Sequence, residues 1–173
     1  MNKRLLFVDD EQRVLDALCR MLHAHRSVWD LICVNDPRVA WEELQHGHFD
    51  AVVSDIRMPG MSGLELLEHI KQSDRVKETP VVILTGLEDR SLKRQALDLG
   101  AADLLNKPVD PEDLVARLRS VLRLKACLDT LRGHKSMLED KVQERTAELY
   151  RSRMDVIWRL CLAAEHRDDN TGN

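Results

Sequence analysis

Arg4-Leu5-Leu6-Phe7-Val8-Asp9-Asp10 is a short, mostly apolar run that ends abruptly in two carboxylates. Four similar runs follow: Leu31 to Val34, Ala51 to Ser54, Val81 to Leu84 and Ala102 to Leu105. Longer segments of helical period separate them, which predicts a parallel sheet covered by helices. Strands that are apolar almost throughout are expected to be buried on both faces. The crossovers are long enough for right-handed βαβ connections. The expected fold is therefore α/β, a doubly wound five-stranded parallel sheet of flavodoxin-like order 2-1-3-4-5. In such a sheet, ligands bind at the carboxyl ends of the strands.

Helix starts between these runs carry their own chemistry. Asp36 before Pro37 and Asp110 before Pro111 each place an N-cap carboxylate ahead of a first-turn proline. Ser62-Gly63-Leu64-Glu65 has the pattern of a capping box.

The 173 residues are 43% hydrophobic and 32% charged, with a net charge of −4, so nonspecific DNA or anionic-membrane binding is a poor explanation. Only 3% are aromatic, which argues against base stacking. No apolar run approaches the ~20 residues of a membrane span, and the first run is too short for a signal peptide, so a cytoplasmic protein is expected. Cys19, Cys33, Cys127 and Cys161 form no C-x-x-C pair and fit ordinary thiols. His23, His25, His46, His48, His69 and His134 lack metal spacing and fit solvent-facing positions.

Asp9 and Asp10 follow the first strand and Asp55 follows the third. These strands lie side by side at the centre of a doubly wound sheet, so the carboxylates converge on one crevice. Three like charges at close range need a raised pKa or a bound cation. Mg²⁺, a hard ion with oxygen ligands completed by water and phosphate, is the simpler relief. Thr85 and Lys107 end the fourth and fifth strands and add a hydroxyl and an ammonium. Each residue alone fits a cap or a turn. Together they suit phosphoryl transfer to a carboxylate nucleophile.

Val8-Asp9-Asp10, Asp55-Ile56-Arg57-Met58-Pro59-Gly60, Leu84-Thr85-Gly86 and Lys107-Pro108 resemble the motifs of the response-regulator receiver family, and the resemblance covers residues 1–122. It implies that Asp55 is the phosphoacceptor, supplied by a partner histidine kinase or phosphotransfer protein. It also implies that Asp10 binds Mg²⁺ directly, Asp9 mainly through water, and Arg57 through its backbone carbonyl. Thr85 and Lys107 would contact the phosphoryl group, and the Lys107-Pro108 bond would be cis. The chain departs from the pattern at Leu104, where the family often has an aromatic switch residue. A coupled motion of Thr85 and Leu104 would then rest on packing alone. Arg57, two residues after the acceptor, is expected to shield the phosphoryl group from water and slow its hydrolysis.

Beyond Asp110 helical character continues to about Glu165, a rod of about 80 Å if unbroken. Steps of four and three from Leu124 meet Leu128, Leu131, Lys135, Leu138, Val142, Arg145 and Leu149. Six of the eight are apolar, as in a dimeric coiled-coil seam over residues 123–153. A solitary amphipathic helix folded onto the domain is the alternative. Gly133 is expected to mark a break or bend.

Met154 to Ala164 is apolar at nine of eleven positions and calls for burial on nearly all sides. Val142 to Leu149 resembles the coiled linker that joins receivers to output domains. Leu162 to Asn173 is similar to the opening of the HD-GYP family of cyclic-di-GMP phosphodiesterases, so residues 154–173 are expected to be the first helix of a truncated output domain. The sequence contains neither a His-Asp pair nor a Gly-Tyr-Pro triplet, so no phosphodiesterase activity is expected of this chain. The expected function is that of a two-component response regulator acting through a dimeric helix. The alternative is the regulatory fragment of a DNA-binding or diguanylate cyclase regulator. A helix-turn-helix pattern is missing from the tail.

Overall fold

A computed structural model describes residues 2–86 and 90–168, with side chains through residue 159. The elements follow in strict alternation. They are β1 (Lys3–Val8), α1 (Gln12–Met21), a 3₁₀ turn (His23–His25), β2 (Trp29–Val34), α2 (Pro37–His46), β3 (Ala51–Asp55), α3 (Gly63–Gln72), β4 (Val81–Thr85), α4 (Arg90–Asp98), β5 (Asp103–Asn106) and α5 (Pro111–Asp168). All strand pairings are parallel, in the order β2-β1-β3-β4-β5. This is the doubly wound architecture expected of the alternating pattern.

Burial explains the composition of the strands. β1, β3 and β4 lie in the middle of the sheet, and their apolar residues alternate between two cores. One core gathers Leu6, Val8, Val52, Ile83 and α3 residues such as Leu66 and Ile70. The other gathers Leu5, Phe7, Val53, Leu84 and the helix residues Leu15, Leu18, Leu114 and Leu118. β2 and β5 take the edge positions that the expected order gives them, but they are only partly buried, not buried on both faces as expected. An apolar run of four to six residues reads alike at a sheet's centre and at its edge.

The helix starts behave as their residues dictate. The Asp36 carboxylate accepts the Arg38 backbone N–H at 2.8 Å. Asp110 accepts from both Glu112 and Asp113 at 3.0 Å. Ser62 and Glu65 form the reciprocal capping box.

Among the scattered residues, one expectation changes at His25, and the ordinary thiols expected of the cysteines are found at Cys19 and Cys33. His25 is half-buried, stacked on Trp29 with ring centroids 5.0 Å apart, and its Nε2 lies 3.1 Å from an Arg119 guanidinium nitrogen. Cys19 on α1 and Cys33 on β2 are free thiols in hydrogen-bonding contact. Burial, then that contact, pushes the Cys33 thiol up to about 12.

The chain divides into two compact units, Met1–Ala126 and Cys127–Asn173. α5 runs through Gly133 without a break, contrary to expectation. A single glycine costs a helix about 1 kcal/mol, too little to end one whose neighbours are strong helix formers. Tyr150, Met154, Val156, Ile157 and Trp158 are exposed in the single chain. The backbone is helical to Asp168, while Asp169 to Asn173, the end of the HD-GYP-like stretch, lie outside the described residues.

Candidate functional site

The carboxyl ends of β1, β3, β4 and β5 bring the predicted residues to one place. Asp9 follows β1 and is buried, while Asp10 next to it is exposed. Asp55 closes β3 and Thr85 closes β4, both buried. Lys107, one residue past β5, is partly exposed. Its ammonium lies 2.7 Å from Asp55 Oδ1 and 2.8 Å from Asp9 Oδ2, bridging two strands. The backbone reinforces this placement: the Lys107 N–H donates to the Thr85 carbonyl at 2.8 Å, and the Lys107-Pro108 bond is cis.

Asp9 also holds the first loop, accepting the Glu11 N–H at 3.0 Å. It therefore fills the bland role of a loop and helix-start residue while belonging to the acidic cluster. Asp55 Oδ2 accepts the Arg57 N–H at 3.3 Å, which folds the β3–α3 loop back over the carboxylate. The Thr85 hydroxyl donates to the Gly86 carbonyl at 3.0 Å. Leu104 is partly buried and packs against the first core.

Burial raises the Asp55 carboxyl above the ordinary carboxylate range, and the Asp9 charge adds to the rise. The Lys107 bond and charge, with the Arg57 N–H, oppose it. For Lys107, burial works to lower the ammonium's pKa, but its bonds to Asp55 and Asp9 outweigh burial and the net shift is upward. The lysine therefore stays charged and acts as a fixed cation.

One lysine faces three carboxylates. Asp9, Asp10 and Asp55 each offer an oxygen, and these atoms lie within 4.8 Å of one another. An all-oxygen anionic set of this kind fits a hard divalent cation. The buried pair holds one side of the cluster, and the exposed Asp10 leaves the other open to water.

Gly63, the first residue of α3, is a site residue that its capping-box context did not reveal. An ideal Cβ there would lie 2.0 Å from the Asp55 carbonyl oxygen. The Gly63 N–H donates to the Ile56 carbonyl at 3.1 Å, so α3 starts directly against the backbone that carries Asp55. A glycine opening an otherwise well-capped helix, eight residues after the aspartate, was the available signal.

A parallel sheet of order 2-1-3-4-5, with an acidic cluster and a lysine at its carboxyl edge, defines a class of phosphoryl-accepting signalling domains. The family model described as response regulator receiver domain matches residues 5–119, and the chain belongs to that family. The chain is 33% identical over 169 residues to a probable cyclic di-GMP phosphodiesterase of Vibrio cholerae, covering 98% of this chain and 38% of that protein. It is 26% identical over 171 residues to the cyclic di-GMP phosphodiesterase response regulator RpfG of Xanthomonas campestris, covering 99% and 45%. The chain thus spans less than half the length of these relatives. Among solved structures, the signal receiver domain of an HD domain-containing protein from Pseudomonas fluorescens superposes with a TM-score of 0.68 at 28% identity. That match covers 73% of this chain and 99% of the other. Among the described residues, no helix is long and apolar enough to cross a membrane.

Proposed function

We propose that this chain is the regulatory arm of a response regulator in which Asp55 accepts a phosphoryl group from a histidine kinase or phosphotransfer protein. The supporting observation is the Lys107 bridge to Asp55 and Asp9, with Asp10 completing the acidic cluster. An Asp55 carboxylate oxygen attacks phosphorus, and the N–P bond of the donor phosphohistidine breaks, its electron pair returning to the imidazole. Lys107 neutralises charge on the phosphoryl oxygens, and Thr85 turns its hydroxyl from Gly86 towards them. Asp10, Asp55 and the Arg57 carbonyl, with Asp9 as an outer partner, are the groups that would hold Mg²⁺. When bound, the ion offsets the negative charge that gathers at the acceptor.

Phosphorylation of a packed α/β domain is read out by a bistable contact, here placed where α5 leaves the receiver. Its continuation serves as a coiled-coil linker that dimerises the protein and carries the change to an output domain. Both phosphodiesterase relatives match through α5 as well as through the receiver, which favours a cyclic-di-GMP phosphodiesterase output over a DNA-binding or diguanylate cyclase one.

The test is labelling of the full chain by acetyl phosphate, followed by intact mass. The expected result is one Mg²⁺-dependent phosphoryl group on wild type and none on Asp55→Asn. An unlabelled wild type, or equal labelling of Asp55→Asn, overturns the proposal.

A further inference from the structure

Two thiols that take no part in the acidic cluster meet at the edge of the sheet. The residues of β2 alternate between the two cores: Ile32 and Val34 pack against the first, Leu31 and Cys33 against the second. The second core is the one that α1 covers through Leu15 and Leu18. Cys19 follows Leu18 on α1, and its thiol makes a hydrogen-bonding contact with that of Cys33. Both thiols are free and half-buried. A single cysteine in such a place serves as a small apolar residue, whereas two in contact can also exchange electrons.

We propose that Cys19 and Cys33 form a reversible oxidation site, joined by a disulfide when the protein meets a peroxide. The edge position gives a small oxidant its way in, because β2 has a neighbouring strand on one side only.

The surroundings set the order of events. Burial, the bond to Cys19 and the Cys19 charge all hold the proton on Cys33. Asp16 acts in the same sense, and Arg26 against it. Cys19 is therefore the sulfur that attacks, as its thiolate. Its electron pair takes one peroxide oxygen and the O–O bond breaks. The other oxygen leaves as hydroxide, gains a proton from solvent and becomes water, while Cys19 becomes a sulfenic acid. The Cys33 sulfur then attacks the Cys19 sulfur. The S–O bond breaks, and the departing hydroxide takes the Cys33 proton to form a second water. Two electrons have passed from the sulfurs to the peroxide, and exchange with a dithiol returns both thiols.

The disulfide fastens α1 to β2 and closes the segment between them, which carries the 3₁₀ turn and the stack of His25 on Trp29.

Hydrogen peroxide treatment of the full chain tests the site. Cys127→Ser and Cys161→Ser remove the other two thiols. After peroxide, the chain is denatured and treated with iodoacetamide. The expected product is lighter by two hydrogen atoms, alkylated at neither cysteine and linked between the peptides of Cys19 and Cys33, and dithiothreitol restores both thiols. Closing this loop is expected to raise the Tm by about 5–10 °C. With Cys33→Ser added, dimedone is expected to trap a sulfenic acid at Cys19. With Cys19→Ser instead, Cys33 is expected to stay unmodified. Two alkylated thiols after peroxide, or further oxidation of each sulfur without a link, overturn the disulfide. A linked product that melts below the reduced chain shows a bond the native fold does not accommodate, and also overturns it. Dimedone on Cys33 rather than Cys19 overturns the order of attack.

Discussion

Replacing Gly63 with alanine is expected to move the acceptor aspartate. The added Cβ would sit 2.0 Å from the Asp55 carbonyl oxygen, 2.9 Å from its carbonyl carbon and 3.1 Å from Ile56 Cα. Contacts below 3.0 Å are essentially unknown for a real Cβ, so α3 and the end of β3 must separate by about 1 Å. No rotamer relieves the clash, because every atom involved is backbone. The Gly63 N–H to Ile56 carbonyl bond ties the two segments together and lengthens with them. Overpacking of this kind costs about 1–3 kcal/mol. Alanine recovers up to about 1 kcal/mol of helix propensity, so a net loss of about 1–2 kcal/mol is expected. A displacement of about 1 Å at a reacting group can lower a rate by about 10²-fold. Urea unfolding and the initial rate of labelling by acetyl phosphate measure the two effects. Gly133→Ala is the control: nothing lies within 4 Å of its added Cβ, so α5 gains helix stability and labelling is unchanged. An unfolding midpoint and labelling rate for Gly63→Ala equal to wild type refute the steric argument.

The Asp50 carboxylate accepts from Lys3 Nζ at 2.8 Å and from the Arg4 N–H at 2.9 Å. Burial works to raise its pKa, but these two bonds prevail and hold it below the ordinary 3.8. Its contribution is therefore complete above pH 3.8 and is lost as the pH falls through the depressed folded value. Asp50→Asn should lose about 1–2 kcal/mol at neutral pH, with the gap to wild type closing in acid unfolding curves below pH 3.8. A gap that stays constant with pH contradicts this. Ser62→Ala removes half of the α3 capping box and should cost about 1 kcal/mol in urea, whereas Ser62→Gly should cost only a few tenths. Arg57→Ala should shorten the lifetime of the phosphorylated state by about tenfold, equivalent to about 1.4 kcal/mol in the hydrolysis barrier. An unchanged decay of the label would show that the side chain does not shield the acyl phosphate.

Much of the fold was legible because its signals are local. Apolar runs, helical period and the caps at Asp36, Ser62 and Asp110 act within a few residues of one another, and the structure forms each of these elements. The partial burial of β2 and β5 was less legible than their edge positions, since their apolar runs read like those of central strands. Gly133 misled because its effect is small and depends on flanking helix. His25 gave no local sign of its stacking on Trp29, which lies across a turn. The site was partly legible: Asp9, Asp10, Asp55, Thr85 and Lys107 stand at strand ends, and strand ends on one edge of a doubly wound sheet converge.

By itself, the sequence determined which residues lie at the carboxyl edge of a parallel sheet and which family the chain resembles. Strand and helix periods carry that information over short distances. Only the tertiary structure decided how those residues meet. Lys107 reaches Asp9 across 98 positions of sequence, and Gly63 presses against Asp55 so closely that a single carbon atom does not fit. Both follow from three-dimensional packing, in which a hydrogen bond or a steric contact depends on ångström-scale approach between segments that local sequence signals treat separately.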